Sequence, residues 1–117
     1  RMGLTENVLM PGFISNPYPI IAKANVLVIS SLHEALPNVL VEALACHCPV
    51  VSTACGGPEE ILGYGKYGHL VPIGDFNAMA EAIGKVFQGD QRLADHEWLD
   101  QFSVDRNINE YLKLIEN

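Results

Sequence analysis

Val26-Leu27-Val28-Ile29-Ser30-Ser31-Leu32-His33-Glu34-Ala35-Leu36-Pro37-Asn38-Val39-Leu40-Val41-Glu42-Ala43-Leu44 is the stretch that decides the fold, because its hydrophobic pattern changes once. Val26 to Ile29 are four apolar residues in a row, three of them β-branched. Such a run suits a strand of a parallel sheet covered on both faces. From Pro37 the apolar residues Val39, Leu40, Ala43 and Leu44 recur at helical spacing and give one apolar face. Proline is favoured where a helix opens, since its missing N–H costs nothing there. The stretch therefore reads as strand, turn, helix.

The same alternation continues on both sides. Upstream, Val8-Leu9-Met10 is a short apolar run stopped by Pro11-Gly12 and reads as a buried strand. Pro17 to Ala24 follows as a helix with Ile20, Ile21 and Ala24 on one side. Downstream, Pro49-Val50-Val51-Ser52 is a second clear strand, and Gly56-Gly57-Pro58 turns the chain into a short helix through Ile61. His69-Leu70-Val71 is a last brief strand. Asp75 is placed to cap a helix running to about Phe87, with Met79, Ile83 and Phe87 as its stripe. Two more helical stretches, Arg92 to Trp98 and Val104 to Ile115, complete the tail. Strands alternating with helices predict an α/β fold, a Rossmann-like parallel sheet with right-handed crossovers flanked by helices.

Composition bounds the function. The 117 residues are one domain's worth, and at 49% hydrophobic they can fill a single small core. No apolar run approaches the ~18 residues of a membrane span, and no secretory signal opens the chain. Its opening, Arg1-Met2-Gly3, is expected of a piece of a longer protein. The net charge of −7 removes the cationic footprint that nucleic acid or anionic lipid requires. A phosphate ligand stays open, because amides at a helix start bind it without a basic domain. Cys46, Cys48 and Cys55 have neither redox nor zinc spacing and read as buried free thiols, which points to a cytoplasmic compartment.

Glu34 and Glu42 flank the strand-to-helix turn. Were both on one helix, they would stand about 12 Å apart along its axis, at ~1.5 Å per residue. That exceeds the roughly 5–9.5 Å of a two-carboxylate hydrolytic pair. It suits two anchors at the ends of one long ligand, with the amides of Leu36, Asn38 and Val39 between them at a helix start beyond a strand's carboxyl end. The bland alternative is a pair of solvated surface glutamates.

The segment Ser31 to Ala45, followed by Pro49-Val50-Val51-Ser52-Thr53 and Gly56-Gly57-Pro58-Glu59-Glu60-Ile61, resembles the family 4 retaining glycosyltransferases of the GT-B fold. Their signature is a Glu, seven residues and a second Glu, in a frame of S-x-x-E-G-x-P-x-x-x-x-E-A-x-A-x-G-x-P-V-V. The resemblance implies that residues 1–117 are a partial C-terminal nucleotide-sugar-binding domain. Glu34, the catalytic candidate, would hold hydroxyls of the donor sugar near its transferring carbon. Glu42 would hydrogen-bond the ribose. The turn through Ala35, Leu36, Pro37, Asn38 and Val39 would take the diphosphate, and main-chain groups of Gly12, Phe13 and Ile14 the base. The resemblance implies no metal and no cofactor, the nucleotide diphosphate sugar being the donor substrate. The acceptor would be a glycan or lipid-linked sugar, met through a separate N-terminal domain, with the whole enzyme cytoplasmic or peripheral at the inner face of a membrane. Rival readings are a non-catalytic module that keeps the fold and a GT-B sugar-nucleotide epimerase, the latter disfavoured by the register of the two glutamates.

This sequence departs from the family at Ala35 and His47, where glycine is usual. His47 stands where the helix would end in a left-handed conformation. The family's first two strands, its glycine-rich turn and its phosphate-gripping Arg and Lys lie upstream of these residues. In the strand order 3-2-1-4-5-6 those two strands separate the Val8 strand from the Val26 strand. Either a rearranged pairing or an oligomer covering the exposed edge is expected in their place.

Overall fold

The strand of Val50–Thr53 (β2) lies at the centre of the fold, and all four of its residues are buried. Residues inaccessible on both faces require layers on both sides, which is why this strand reads as an unbroken apolar run apart from its last two hydroxyls. The computed structural model describes residues 2–35, 37–102 and 113–115.

Among the described residues the elements run, in chain order, through helix α1 (Tyr18–Lys23), strand β1 (Leu27–Ile29) and helix α2 (Asn38–Ala45). After β2 come helix α3 (Gly57–Ile61), a single 3₁₀ turn at Gly63–Gly65, strand β3 (His69–Val71), helix α4 (Phe76–Phe87) and helix α5 (His96–Asp100). The three strands form one parallel sheet in the order β1-β2-β3, with Val28 opposite Val51 and Ser52 opposite Leu70. The expected α/β class is what the structure has.

One apolar cluster packs α2 and α3 against Ile29 and Val50, with Leu40, Ala43, Leu44, Ile61 and Leu62 at its centre. The other face of the sheet carries a smaller cluster, Val51 and Val71 against Ala82 and Val86 of α4. Trp98 of α5 ties the tail down, donating its indole N–H to the Ile61 carbonyl at 2.8 Å and stacking on Tyr67 with centroids 4.6 Å apart.

The end of α2 explains how His47 replaces a glycine. His47 is left-handed at φ 58°, its N–H bonds the Leu44 carbonyl, and the Cys48 N–H reaches back to the Ala43 carbonyl. These two bonds close a Schellman cap around a non-glycine residue, at a backbone cost of about 1 kcal/mol. His47 itself is exposed, so nothing crowds its ring. Cys46, Cys48 and Cys55 are free and buried, as expected. Burial, then the neighbouring Cys48 and Glu42, pushes the Cys46 thiol up to about 11, far from a reactive thiolate at neutral pH.

Several expectations are corrected. Val8-Leu9-Met10 forms no strand; Leu9 and Met10 are 86% and 89% exposed. An apolar run becomes a strand only where a partner ladder receives it, and β1 forms the edge of the described sheet. Neither a rearranged pairing nor the family arrangement of that segment occurs. Pro37 is the residue before α2, at ψ 95°, and is not its first helical position. The stripe of α4 is Ala82 and Val86 with Met79 and Ile83 beside them, while Phe87 is 65% exposed. Residues 91–95 are irregular and the tail helix begins only at His96, capped by the Asp95 carboxylate. Most of the expected helix from Val104 to Ile115 lies outside the described residues.

Candidate functional site

The site is built where two loops beyond the carboxyl ends of β1 and β2 meet. Glu34 sits in the first loop and forms an isolated parallel bridge with Gly56 in the second. Its N–H donates to the Cys55 carbonyl at 3.1 Å, and its carbonyl accepts the Gly57 N–H at 2.6 Å. Its side chain accepts from the Ser31 hydroxyl at 3.2 Å through Oε1. Thr53, 3% exposed at the last position of β2, donates its hydroxyl to the Ser31 carbonyl at 2.7 Å.

The double glycine is the reason the two loops can touch. A Cβ on Gly57 would lie 2.4 Å from the Ala35 carbonyl oxygen and 2.8 Å from Pro37 Cδ. On Gly56, at φ 125°, it would lie 2.8 Å from the Glu34 carbonyl oxygen. Hydrogen is all that fits at either position. Glu59 completes the turn, its carboxylate accepting the Gly56 N–H at 2.9 Å.

Helix α2 opens beside Glu34. It has no side-chain cap, and the Leu40 N–H bonds the Pro37 carbonyl. The amides of Asn38 and Val39 are left without an acceptor among the described residues. Uncapped amides of this kind are the positive end of a helix. Leu36, expected to contribute a third, lies outside the described residues. Ala35, Asn38 and Val39 are exposed, and Pro37 is buried.

Glu42 lies on α2 itself, whereas Glu34 precedes it in extended backbone, so the two do not share a helix axis as supposed for the 12 Å spacing. Glu42 is half-buried and accepts a hydrogen bond from the Tyr18 hydroxyl at 3.4 Å. Burial raises its pKa from the ordinary 4.5, and the Tyr18 bond holds it partly down. The unfolded carboxylate therefore ionises first as pH rises. The burial penalty is absent below about 4.5 and complete above the raised folded value. Tyr18→Phe should raise the Glu42 pKa further and extend that window upward, which a carbon-detected titration of the Glu42 carboxyl would measure.

Gly12, Phe13 and Ile14 lie in an irregular segment, Phe13 is 93% exposed, and no hydrogen bond among the described residues joins them to Glu34, Glu42 or α2. Gly12 is left-handed at φ 76°, in keeping with a turn there. Three residues that shape the site, Tyr18, Thr53 and Ser31, carry no role in the sequence pattern alone. Tyr18 is 24 positions from Glu42, with no motif linking them. Ser31 stands three residues before Glu34, and that spacing was the available signal.

The family model of the Glycosyl transferases group 1 matches residues 1–89. The chain belongs to this family. Among curated glycosyltransferases, the N-acetylgalactosamine-N,N'-diacetylbacillosaminyl-diphospho-undecaprenol 4-alpha-N-acetylgalactosaminyltransferase of Campylobacter jejuni is 36% identical over 78% of this chain and 25% of the relative. The lipopolysaccharide core biosynthesis glycosyltransferase LpsE of Rhizobium meliloti is 37% identical over 97% of this chain and 35% of its own length. A probable sucrose-phosphate synthase of Thermosipho melanesiensis is 36% identical over 78% of this chain and 22% of the relative. The chain thus spans about a quarter to a third of these glycosyltransferases. No helix among its described residues is long and apolar enough to cross a membrane.

Proposed function

We propose that this chain is the donor-binding part of a retaining glycosyltransferase that moves a sugar from a nucleotide diphosphate sugar to a glycan or lipid-linked acceptor. The observation that carries the reading is the fixing of Glu34, in a group 1 glycosyltransferase chain, at its main-chain N–H, its carbonyl and its carboxylate beside an uncapped helix start. A carboxylate held in this way can accept two vicinal hydroxyls of the donor sugar through short, charge-assisted bonds. The free amides of Asn38 and Val39 face the place where negative charge grows as the nucleotide diphosphate leaves, so they stabilise the transition state more than the ground state. Glu42, just over one turn along α2, takes the ribose, and its Tyr18 bond presets the carboxylate. The base-binding role of Gly12, Phe13 and Ile14 rests on the family resemblance alone. No metal or cofactor enters the reaction as proposed.

The lipid-linked acceptor is supported by the name of the Campylobacter jejuni relative, which acts on a diphospho-undecaprenol glycan. Acceptor binding is assigned to a domain outside these residues, and the working location to the cytoplasmic side, peripheral to a membrane.

Calorimetry with UDP- and GDP-sugars on the complete protein tests the reading. One of them is expected to bind, and Glu42→Ala should weaken that binding roughly ten- to hundredfold, the worth of a charge-assisted bond. Absence of binding to every nucleotide sugar, or undiminished binding in Glu42→Ala, overturns the assignment.

A further inference from the structure

Just past Ile29 and Ser52, the last residues that pair between β1 and β2, the Thr53 hydroxyl joins the two segments ahead of the main-chain bridge at Glu34. Thr53 reaches from the end of β2 to the Ser31 carbonyl at 2.7 Å, and Ser31 in turn donates to Glu34 Oε1 at 3.2 Å. Thr53 is 3% exposed and Ser31 half-buried. A carbonyl has no donor of its own, so Thr53 is the donor in the first bond, and the Ser31 hydroxyl donates to the Glu34 side chain in the second. Both hydroxyls thus have one orientation, running from the buried strand outward to the carboxylate. Thr53 fixes the peptide that carries Ser31, and Ser31 occupies Oε1. Oε2 is left without a partner among the described residues.

We propose that Thr53 and Ser31 are positioning residues that set the rotamer of Glu34, turning Oε2 toward the donor sugar. This rests on the reading of Glu34 as the residue that holds the donor sugar. The relay has a direction that packing alone would not need. A buried threonine whose only task was to fill space would be replaced by valine without effect, since the two side chains have nearly the same shape. Here the hydroxyl supplies the bond that seats the Ser31 peptide, and valine would leave that carbonyl without its donor. Nucleotide affinity should be spared, because Glu42 and α2 are held by other contacts, chiefly Leu40 and Leu44 in the core and Tyr18 at the carboxylate.

The test uses the complete enzyme with its nucleotide sugar, in Thr53→Val, Thr53→Ser, Ser31→Ala and Glu34→Gln, with circular dichroism confirming the fold of each. Thr53→Val and Ser31→Ala should lower kcat roughly ten- to hundredfold, the effect of a misplaced reacting group. KM for the nucleotide sugar should stay within about twofold in both, and Thr53→Ser, which keeps the hydroxyl, should restore kcat. If Glu34→Gln lowers kcat while Thr53→Val and Ser31→Ala do not, the relay is wrong and the role of Glu34 stands. If Glu34→Gln leaves kcat unchanged, the role of Glu34 falls and the relay falls with it. Equal losses in Thr53→Val and Thr53→Ser also overturn the relay, because they would trace the effect to packing.

Discussion

Gly57→Ala should abolish sugar transfer by the complete enzyme and lower the melting temperature of the fold. The added methyl would stand 2.4 Å from the Ala35 carbonyl oxygen, 2.8 Å from the Ala35 carbonyl carbon and 2.8 Å from Pro37 Cδ. All three belong to backbone or a proline ring, so no flexible side-chain end can swing away. Relief requires the segment from Glu34 to Pro37 to part from the turn before α3, breaking the 2.6 Å bond from the Gly57 N–H to the Glu34 carbonyl. Overpacking of this kind costs about 1–3 kcal/mol. The loss of activity should exceed what that cost suggests, because the part displaced is the one that holds Glu34 and opens α2. Thermal melts paired with single-turnover assays would separate the two effects. Wild-type kcat in Gly57→Ala would show that the close approach of the loops is not needed for the reaction.

Leu40→Ala should cost about 3 kcal/mol and lower the melting temperature by roughly 10 °C or more. Leu40 is wholly inaccessible and lies on the buried face of α2, among Ala43, Leu44, Val50 and Ile61. Its removal leaves a cavity between that helix and the sheet that the neighbouring alanines are too small to fill. The same helix carries Glu42, so nucleotide-sugar affinity should fall in parallel as the melting temperature is approached. Differential scanning calorimetry with and without nucleotide sugar would check both.

The parts of this molecule that were legible in its sequence are those fixed by one element's own pattern. The unbroken apolar run at Val50 and Val51 announced a strand covered on both faces, and α2 turned Leu40, Ala43 and Leu44 inward as their spacing required, leaving only Val39 of that stripe exposed in its first turn. His47 could be placed in the left-handed region because a helix that ends there needs it. Asp75 caps α4 as its position before the helix implied, accepting the Ala78 N–H at 2.9 Å. What was not legible depends on a second segment. Val8-Leu9-Met10 has the composition of a strand, but a strand's hydrogen bonds are made by its neighbour. Phe87 continues an apolar stripe by spacing, yet it lies at the last position of α4, with the sheet already behind it. Tyr18 meets Glu42 only because α1 packs on α2. The glycines at 56 and 57 were visible as a motif. The reason for them, two carbonyl oxygens within 3 Å of a missing Cβ, exists only once the loops are side by side.

The outer margin of β1 also governs how the chain behaves in bulk. Half of the backbone donors and acceptors on that strand face away from β2, and Val28 is 40% exposed beside them. Met10 and Phe13 add uncovered apolar surface of their own. Neighbouring molecules in a concentrated sample can zip together along such a margin. Repulsion from the net charge of −7 opposes such contact, and its reach shrinks from about 30 Å in 0.01 M salt to about 3 Å in 1 M. Association of the chain should therefore rise with ionic strength, which light scattering across a salt series would measure.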